Sequence, residues 1–594
     1  MAKITAAADE RIVGIHRWLG LNQTGEGATQ LKNGEAAEMT NFRVTADGLL
    51  KKRPGRRTIV QFGGRINGAW HGYVNGVEHT VVAAGNRLYD VDAAQKTYTD
   101  IGATADTHTE FFGFSEKLYI LNGQDYKVWD GTTLESVAGY VPVVVIGCPP
   151  SGGGTELEGI NRLSASRRIW FSPDGTSTTF KLPEEAATVE HVRLRASGEP
   201  LTGTLSADGT VVTVTPAPAK GTNTLEIQYA VNTHGRSGVH MMRFAELYNG
   251  AGDGRVFLYG DGTNRAIYSG IDYDGQPTAE YFPELNVLDI GDENTPITAM
   301  IRHYSRLLAF KEDSTYSVVY GQLTLPDGRL TSAFYWNPVN KAVGNVAPGQ
   351  VRLVDNNPIT VFGQSLYRWV NSGGYSSNIT IDERQARRIS DRVWRECNSM
   401  LLKLAYCFDD NDRKEWYCVE GNRALVYNYG VDCWYLYDNF PIVNMVAFDG
   451  KLYGANGDRW VEISDAYRSD DGAAIRAKWA SGYMAFNADF RRKYSAMLWV
   501  GIEPAVNGEV DVTIETDRKA DFTKKAVAAN RASFLYPNFA KWSFSTSRRP
   551  TIHRLKIKAK KFIYYRLILK NESATSTCTI TAADVRVRFT GYAR

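Results

Sequence analysis

Ten lysines or arginines, and no aspartate or glutamate, fall between residues 541 and 570. Within that stretch the run LKIKAK alternates Leu555, Ile557 and Ala559 with Lys556, Lys558 and Lys560. In an extended strand successive side chains point to opposite faces, so the three ammonium groups would share one face and the apolar groups the other. A row of cations suits phosphates: it holds or passes a nucleic-acid backbone without reading its bases. The same row also fits a solvated sandwich face, or edge lysines that block strand addition.

A second group of cations follows a turn. In NFRVTADGLLKKRPGRRTI (residues 41–59), Lys51, Lys52, Arg53, Arg56 and Arg57 occupy five of seven positions. Asp47-Gly48 between alternating runs predicts a hairpin with a type I′ turn, which needs positive φ at both central residues. Pro54 removes a backbone donor, so a central strand should stop there. A third basic run, DERQARRISDRVWR (382–395), is mixed with acids and predicts a short helix on a solvated or subunit-facing surface.

Catalytic signatures are sparse. The chain has no G-x-S-x-G elbow, no Walker loop and no H-E-x-x-H. GAGDG at 250–254 precedes the strand-like RVFLYG and opens no helix, so it reads as a turn. The nine histidines are isolated. The six cysteines (148, 397, 407, 418, 433 and 578) form no C-x-x-C, although Cys407 and Cys418 flank the polar turn DDNDRK and would face each other across a hairpin. No catalytic residue, cofactor or metal is expected, and the chain is read as a non-enzyme. A glycosidase pairing carboxylates across sheets would leave no signal in sequence spacing.

The elements that would position these groups are strands. With 55 Gly and an aromatic content of 12%, the 594 residues favour short aromatic strands joined by glycine turns. A net charge of +3 means that any nucleic-acid contact must come from local patches. The first twenty residues lack a secretory pattern, and the most apolar run, YVPVVVIGCPP, is too short and proline-broken to span a membrane as a helix.

A small pattern recurs at Arg87-Leu88-Tyr89, Lys117-Leu118-Tyr119, Arg255-Val256-Phe257, Arg306-Leu307-Leu308, Ser365-Leu366-Tyr367, Arg423-Ala424-Leu425 and Lys451-Leu452-Tyr453. Most copies follow another strand through a short polar turn, as hairpins stacked radially would. The fold expected is therefore all-β: a β-propeller of six to eight blades at 41–154 and 236–470. A small β domain is inserted at 155–235 behind the linker SGGGTE. An N-terminal arm occupies 1–40 and a C-terminal β-sandwich 471–594.

LGLNQTGEGATQLKNGEAAEMTNFRVTADGLLKKRPGRRTI resembles the N-terminus of the tail nozzle proteins of short-tailed phages, also called tail tubular protein B or packaged-DNA stabilisation proteins. RAIYSGIDYDGQPTAEYFPELN and ITAMIRHYSRLLAFKEDSTYSVV are similar to the middle of that family. The resemblance implies a virion protein made in the host bacterial cytoplasm and built into the tail. It would form a homo-oligomeric, sixfold ring below the portal and adaptor (the head-tail connector), near the tail fibres. Its channel would retain the packaged double-stranded DNA and conduct it during ejection. The cations at 51–57 would then face a neighbouring subunit, an adaptor or DNA. The alternatives are a distal tail or receptor-binding propeller and, less favoured, a propeller glycosidase acting on host surface polysaccharide.

Overall fold

The computed structural model of the protein describes residues 9–25, 30–232, 238–248, 254–324, 328, 330–371, 384–505, 507–527 and 549–592. Among them the only α-helix is Trp394–Ser399; nearly everything else is strand or turn. The chain forms two compact units, one comprising Met1–Phe62, Gly363–Arg368 and Ala386–Arg594, the other Gly63–Phe362 and Trp369–Gln385.

The second unit shows why the sequence makes blades. All five residues of the strand Arg255–Tyr259 are buried. Val256 and Leu258 pack with Phe112, Tyr119 and Leu121 of the preceding sheet. Phe257 and Tyr259 pack with Met300, Leu307 and Val318 of the following one. Alternate side chains thus serve two neighbours, as face-to-face stacking around an axis requires. Four-stranded meanders run in chain order from Ile66–Val74 to Thr97–Ala103, Glu110–Phe114 to Leu134–Ser136, Phe244–Tyr248 to Val287–Asp289, Ala299–His303 to Leu330–Asn340, and Arg352–Val354 to Arg384–Arg388. Their first strands touch one another in succession, which makes them the inner strands of a propeller.

Between the second and third of these lies an eight-stranded sheet with its own core of Ile169, Phe171, Phe180, Val192, Val212 and Ile227. Its strands start at Val143–Cys148, which pairs in parallel with Ser166–Phe171, so the sheet begins ahead of residue 155. The connection is also more than a tether. Asn161 donates its side-chain N–H groups to the carbonyls of Tyr140 (2.7 Å) and Glu280 (2.9 Å), and Leu163 packs with Phe282 in a blade core.

The first unit holds two more four-stranded arrangements. One runs from Tyr406–Asp410 to Cys433–Asp438. The other joins Val443–Phe448, Lys451–Asn456 and Arg459–Ser464 to Gly55–Gln61, a strand from the start of the chain. Among the described residues this gives seven blade-like sheets, and each of the seven recurrent triplets opens a strand in a different one.

The rest of the first unit mixes both ends of the chain. Thr579–Tyr592 pairs with Arg491–Ile502, Leu50–Lys52 and Glu10–Ile15, while Thr551–Phe562 forms an outer strand beside Arg491–Ile502. In the other sheet Glu35–Thr40 lies between Cys433–Asp438 and Ala477–Ser481. Glu10–Ile15 and Glu35–Thr40, within the segment 1–40 read from the sequence as an arm, therefore add strands to both sheets of the C-terminal block. The hairpin at 42–52 forms, but its turn has positive φ at Gly48 and not at Asp47, so it is not type I′. In the run 382–395, Arg384–Arg388 is a strand, and the expected short helix starts with a 3-10 turn at Asp391–Val393 that leads into the α-helix Trp394–Ser399.

Candidate nucleic-acid interface

The two groups of cations meet opposite fates. Around Pro54 most of the charge turns inward. Arg53 grips Asp470 with two hydrogen bonds (2.6 and 3.1 Å), donates its Nε to Asn41 (2.8 Å) and lies over the Tyr437 and Phe440 rings. Arg56 donates to the Asn439 carbonyl at 2.8 Å and also approaches Asp470. Lys52 points its ammonium at Asn571 Oδ1 (2.7 Å) and the carbonyls of Ser573 (2.8 Å) and Ser576 (3.2 Å), and burial pulls its pKa down to about 8. Lys51 shares Asp465 with Arg43, and the exposed Arg57 sits over the Tyr467 ring.

Lys52, Arg53 and Arg56 are thus buried stitches and cannot reach DNA or an adaptor. Their charges are matched by carboxylates and carbonyls up to 524 residues away in the chain. That pairing explains why so many cations cluster in an almost neutral protein. Gly55 is required for the same reason: a Cβ there would lie 2.4 Å from the Ser469 carbonyl oxygen.

The strand Thr551–Phe562 behaves as its alternation demands. Leu555, Ile557 and Ala559 are buried; Arg554, Lys556, Lys558 and Lys560 are exposed. The three lysines are exposed on one face, although the pairing with the adjacent strand slips by one residue between Lys556 and Ala559. On the adjacent strand Arg554 lies opposite Trp499, Lys556 opposite Met497 and Lys560 opposite Tyr494. One strand further, Asp584, Arg586 and Arg588 lie opposite those same three residues.

The carboxylates on this face are already engaged. Glu10 holds Arg586 at 2.5 and 3.0 Å, and Asp584 meets His16 at 3.0 Å. Among the described residues, Lys556, Lys558, Lys560 and Arg588 have no carboxylate partner. The face therefore offers a net positive field with aromatic and thioether surface between the cations, a combination suited to phosphodiester backbones. Of the remaining basic segment, residues 541–548 lie outside the described residues.

One constellation gave no signal in the sequence. Glu110 and Glu246 begin or lie within neighbouring inner strands of the second unit. Burial pushes the Glu246 carboxyl up to about 7, and the negative field of Glu110 adds to this. The Arg302 backbone N–H, which donates to Glu246 at 2.9 Å, and the Arg352 guanidinium oppose it. The two carboxylates are 136 residues apart in sequence and lie on adjacent inner strands, close enough for one to act on the other through its charge. Among the described residues no cluster of His, Cys, Asp or Glu has a geometry that could hold a metal ion, and no helix is long and apolar enough to cross a membrane.

No family model matches the chain, and no curated protein matches it either. Solved structures similar to it include the WD40 domain of fission yeast SCAP, at 9% identity and TM-score 0.27, covering 71% of this chain and 98% of that one. Saccharomyces cerevisiae Sqt1 is similar at 10% identity and TM-score 0.28, covering 69% and 99%. An exo-beta-1,3-galactanase from Phanerochaete chrysosporium is similar at 9% identity and TM-score 0.16, covering 76% and 99%. Values this low leave the propeller assignment to rest on the strand pairing itself and assign no function.

Proposed function

We propose that the chain is a structural subunit of a short-tailed phage tail, a nozzle ring whose basic sheet face contacts the phosphates of double-stranded DNA during retention and ejection. The observation that carries this reading is the row Lys556, Lys558 and Lys560 with Arg588, exposed on one sheet face and without carboxylate partners among the described residues. A backbone-only contact of this kind slides without sequence preference, as a conduit must. The resemblance of the N-terminal and central segments to tail nozzle proteins supports the same assignment.

Electron microscopy of intact particles tests it. The expected result is a ring of this protein on the channel axis below the portal. Density confined to the tail tip beside the fibres would replace the nozzle with a receptor-binding role.

A second reading rests on Glu110 and Glu246: a carboxyl held near 7 beside a second carboxylate could serve acid–base chemistry on a glycan. Incubation with host envelope polysaccharide separates the two. New reducing ends that vanish in E246Q would establish the glycosidase, and none are expected from a nozzle.

A further inference from the structure

All six cysteines are buried thiols, and two of them face each other. In the blade that starts at Tyr406–Asp410, Cys407 lies directly opposite Cys418 in antiparallel register. Directly opposed residues in such a ladder have Cα atoms about 4.5 or 5.5 Å apart, inside the window a disulfide accepts. Their thiols already touch: the Cys418 sulfhydryl is hydrogen-bonded to Cys407. Cys397, also nearby, is turned toward Ser390 from the short helix Trp394–Ser399.

We propose that Cys407 and Cys418 are a latent cross-strand disulfide, reduced as synthesised and closed when the protein meets an oxidant. The inference is independent of the nozzle reading. With diamide as oxidant, one sulfur adds across the N=N bond and the other then displaces it. The two S–H bonds break, one S–S bond forms, and both hydrogens leave on the hydrazine. The reacting species is a thiolate, and both the mutual hydrogen bond and burial hold the Cys418 thiol well above its ordinary pKa. Closure therefore waits on local opening of the hairpin edge, and the reaction is slow in native buffer and faster in sub-denaturing urea.

The experiment treats the full-length protein with diamide, unfolds it, blocks remaining thiols and maps the peptides by mass spectrometry. The expected result is loss of two of the six thiols, an intramolecular Cys407–Cys418 peptide lighter by two hydrogens, and acceleration by urea below the unfolding transition. C418A should retain all five of its thiols, and C148A should close like the wild type. Six blockable thiols after prolonged exposure, a cross-link through Cys397, or a product only between chains would each overturn the proposal.

Discussion

Arg53 and Asp470, 417 residues apart in the chain, form a two-pronged ion pair that is almost completely shielded from water. Breaking one side of such a pair strands a buried charge, which costs about 3–5 kcal/mol. Asp470→Ala should therefore destabilise the first unit by that amount, read as a lower unfolding midpoint in urea. Arg53→Met with Asp470→Leu should recover a substantial part of the loss, because neither charge is then left unpaired. A double variant no better than the single one would show that the pair is not what holds this junction.

Gly55 makes a sharper test of the same junction. A Cβ would press on the Ser469 carbonyl oxygen at 2.4 Å and on Tyr467 backbone at 2.9 Å. Backbone cannot rotate away as a side chain can, so Gly55→Ala should cost about 1–3 kcal/mol. Thermal unfolding within error of wild type would mean the strands part easily.

The Glu246 carboxyl should give stability a particular pH dependence. Its pKa is about 7 in the folded protein against 4.5 unfolded, so the folded state binds the extra proton. The stabilisation is complete below about 4.5 and is lost as the pH rises through about 7. Glu246→Gln should flatten that part of the profile and be more stable than wild type at alkaline pH, by on the order of 3 kcal/mol. Melting curves of the two proteins that stay parallel from acid to alkaline pH would refute the assignment.

Replacing Lys556, Lys558 and Lys560 by Gln should change stability by less than about 0.5 kcal/mol, since these side chains are exposed. It should also reduce the slope of log affinity against log salt on duplex DNA by about 3 per subunit, because each lysine removed leaves one phosphate with its counterion. Identical salt dependence in the triple variant would leave the lysines as solubilising or edge-protecting groups.

Excision of 155–235 with a short Gly-Ser bridge should damage the second unit. It would remove Asn161, which bridges the Tyr140 and Glu280 carbonyls, and Leu163, which packs in a blade core. It would also leave Val143–Cys148 without its partner strands. A soluble product with an unchanged cooperative transition would show that the inserted sheet is dispensable.

The seven recurrent triplets and the lysine alternation were legible in the sequence because they are local. A turn followed by a basic or polar residue and two apolar or aromatic residues starts a strand whatever surrounds it, and a period of two places Lys556, Lys558 and Lys560 on one face. The fate of Lys52, Arg53 and Arg56 was not legible. Their run looks like that of Lys556–Lys560, but charge alone does not say whether a carboxylate 417 residues away will arrive to bury it. The same holds for Glu10–Ile15 and Glu35–Thr40, whose pairing partners lie at the other end of the chain or deep within it, and for the placing of Glu110 and Glu246 on adjacent inner strands. Sequence by itself determined most strands and which face their side chains take, which depend on neighbours in the chain. Tertiary structure alone decided which charges lost their water and which kept it, because desolvation is set by whatever packs against a group in space.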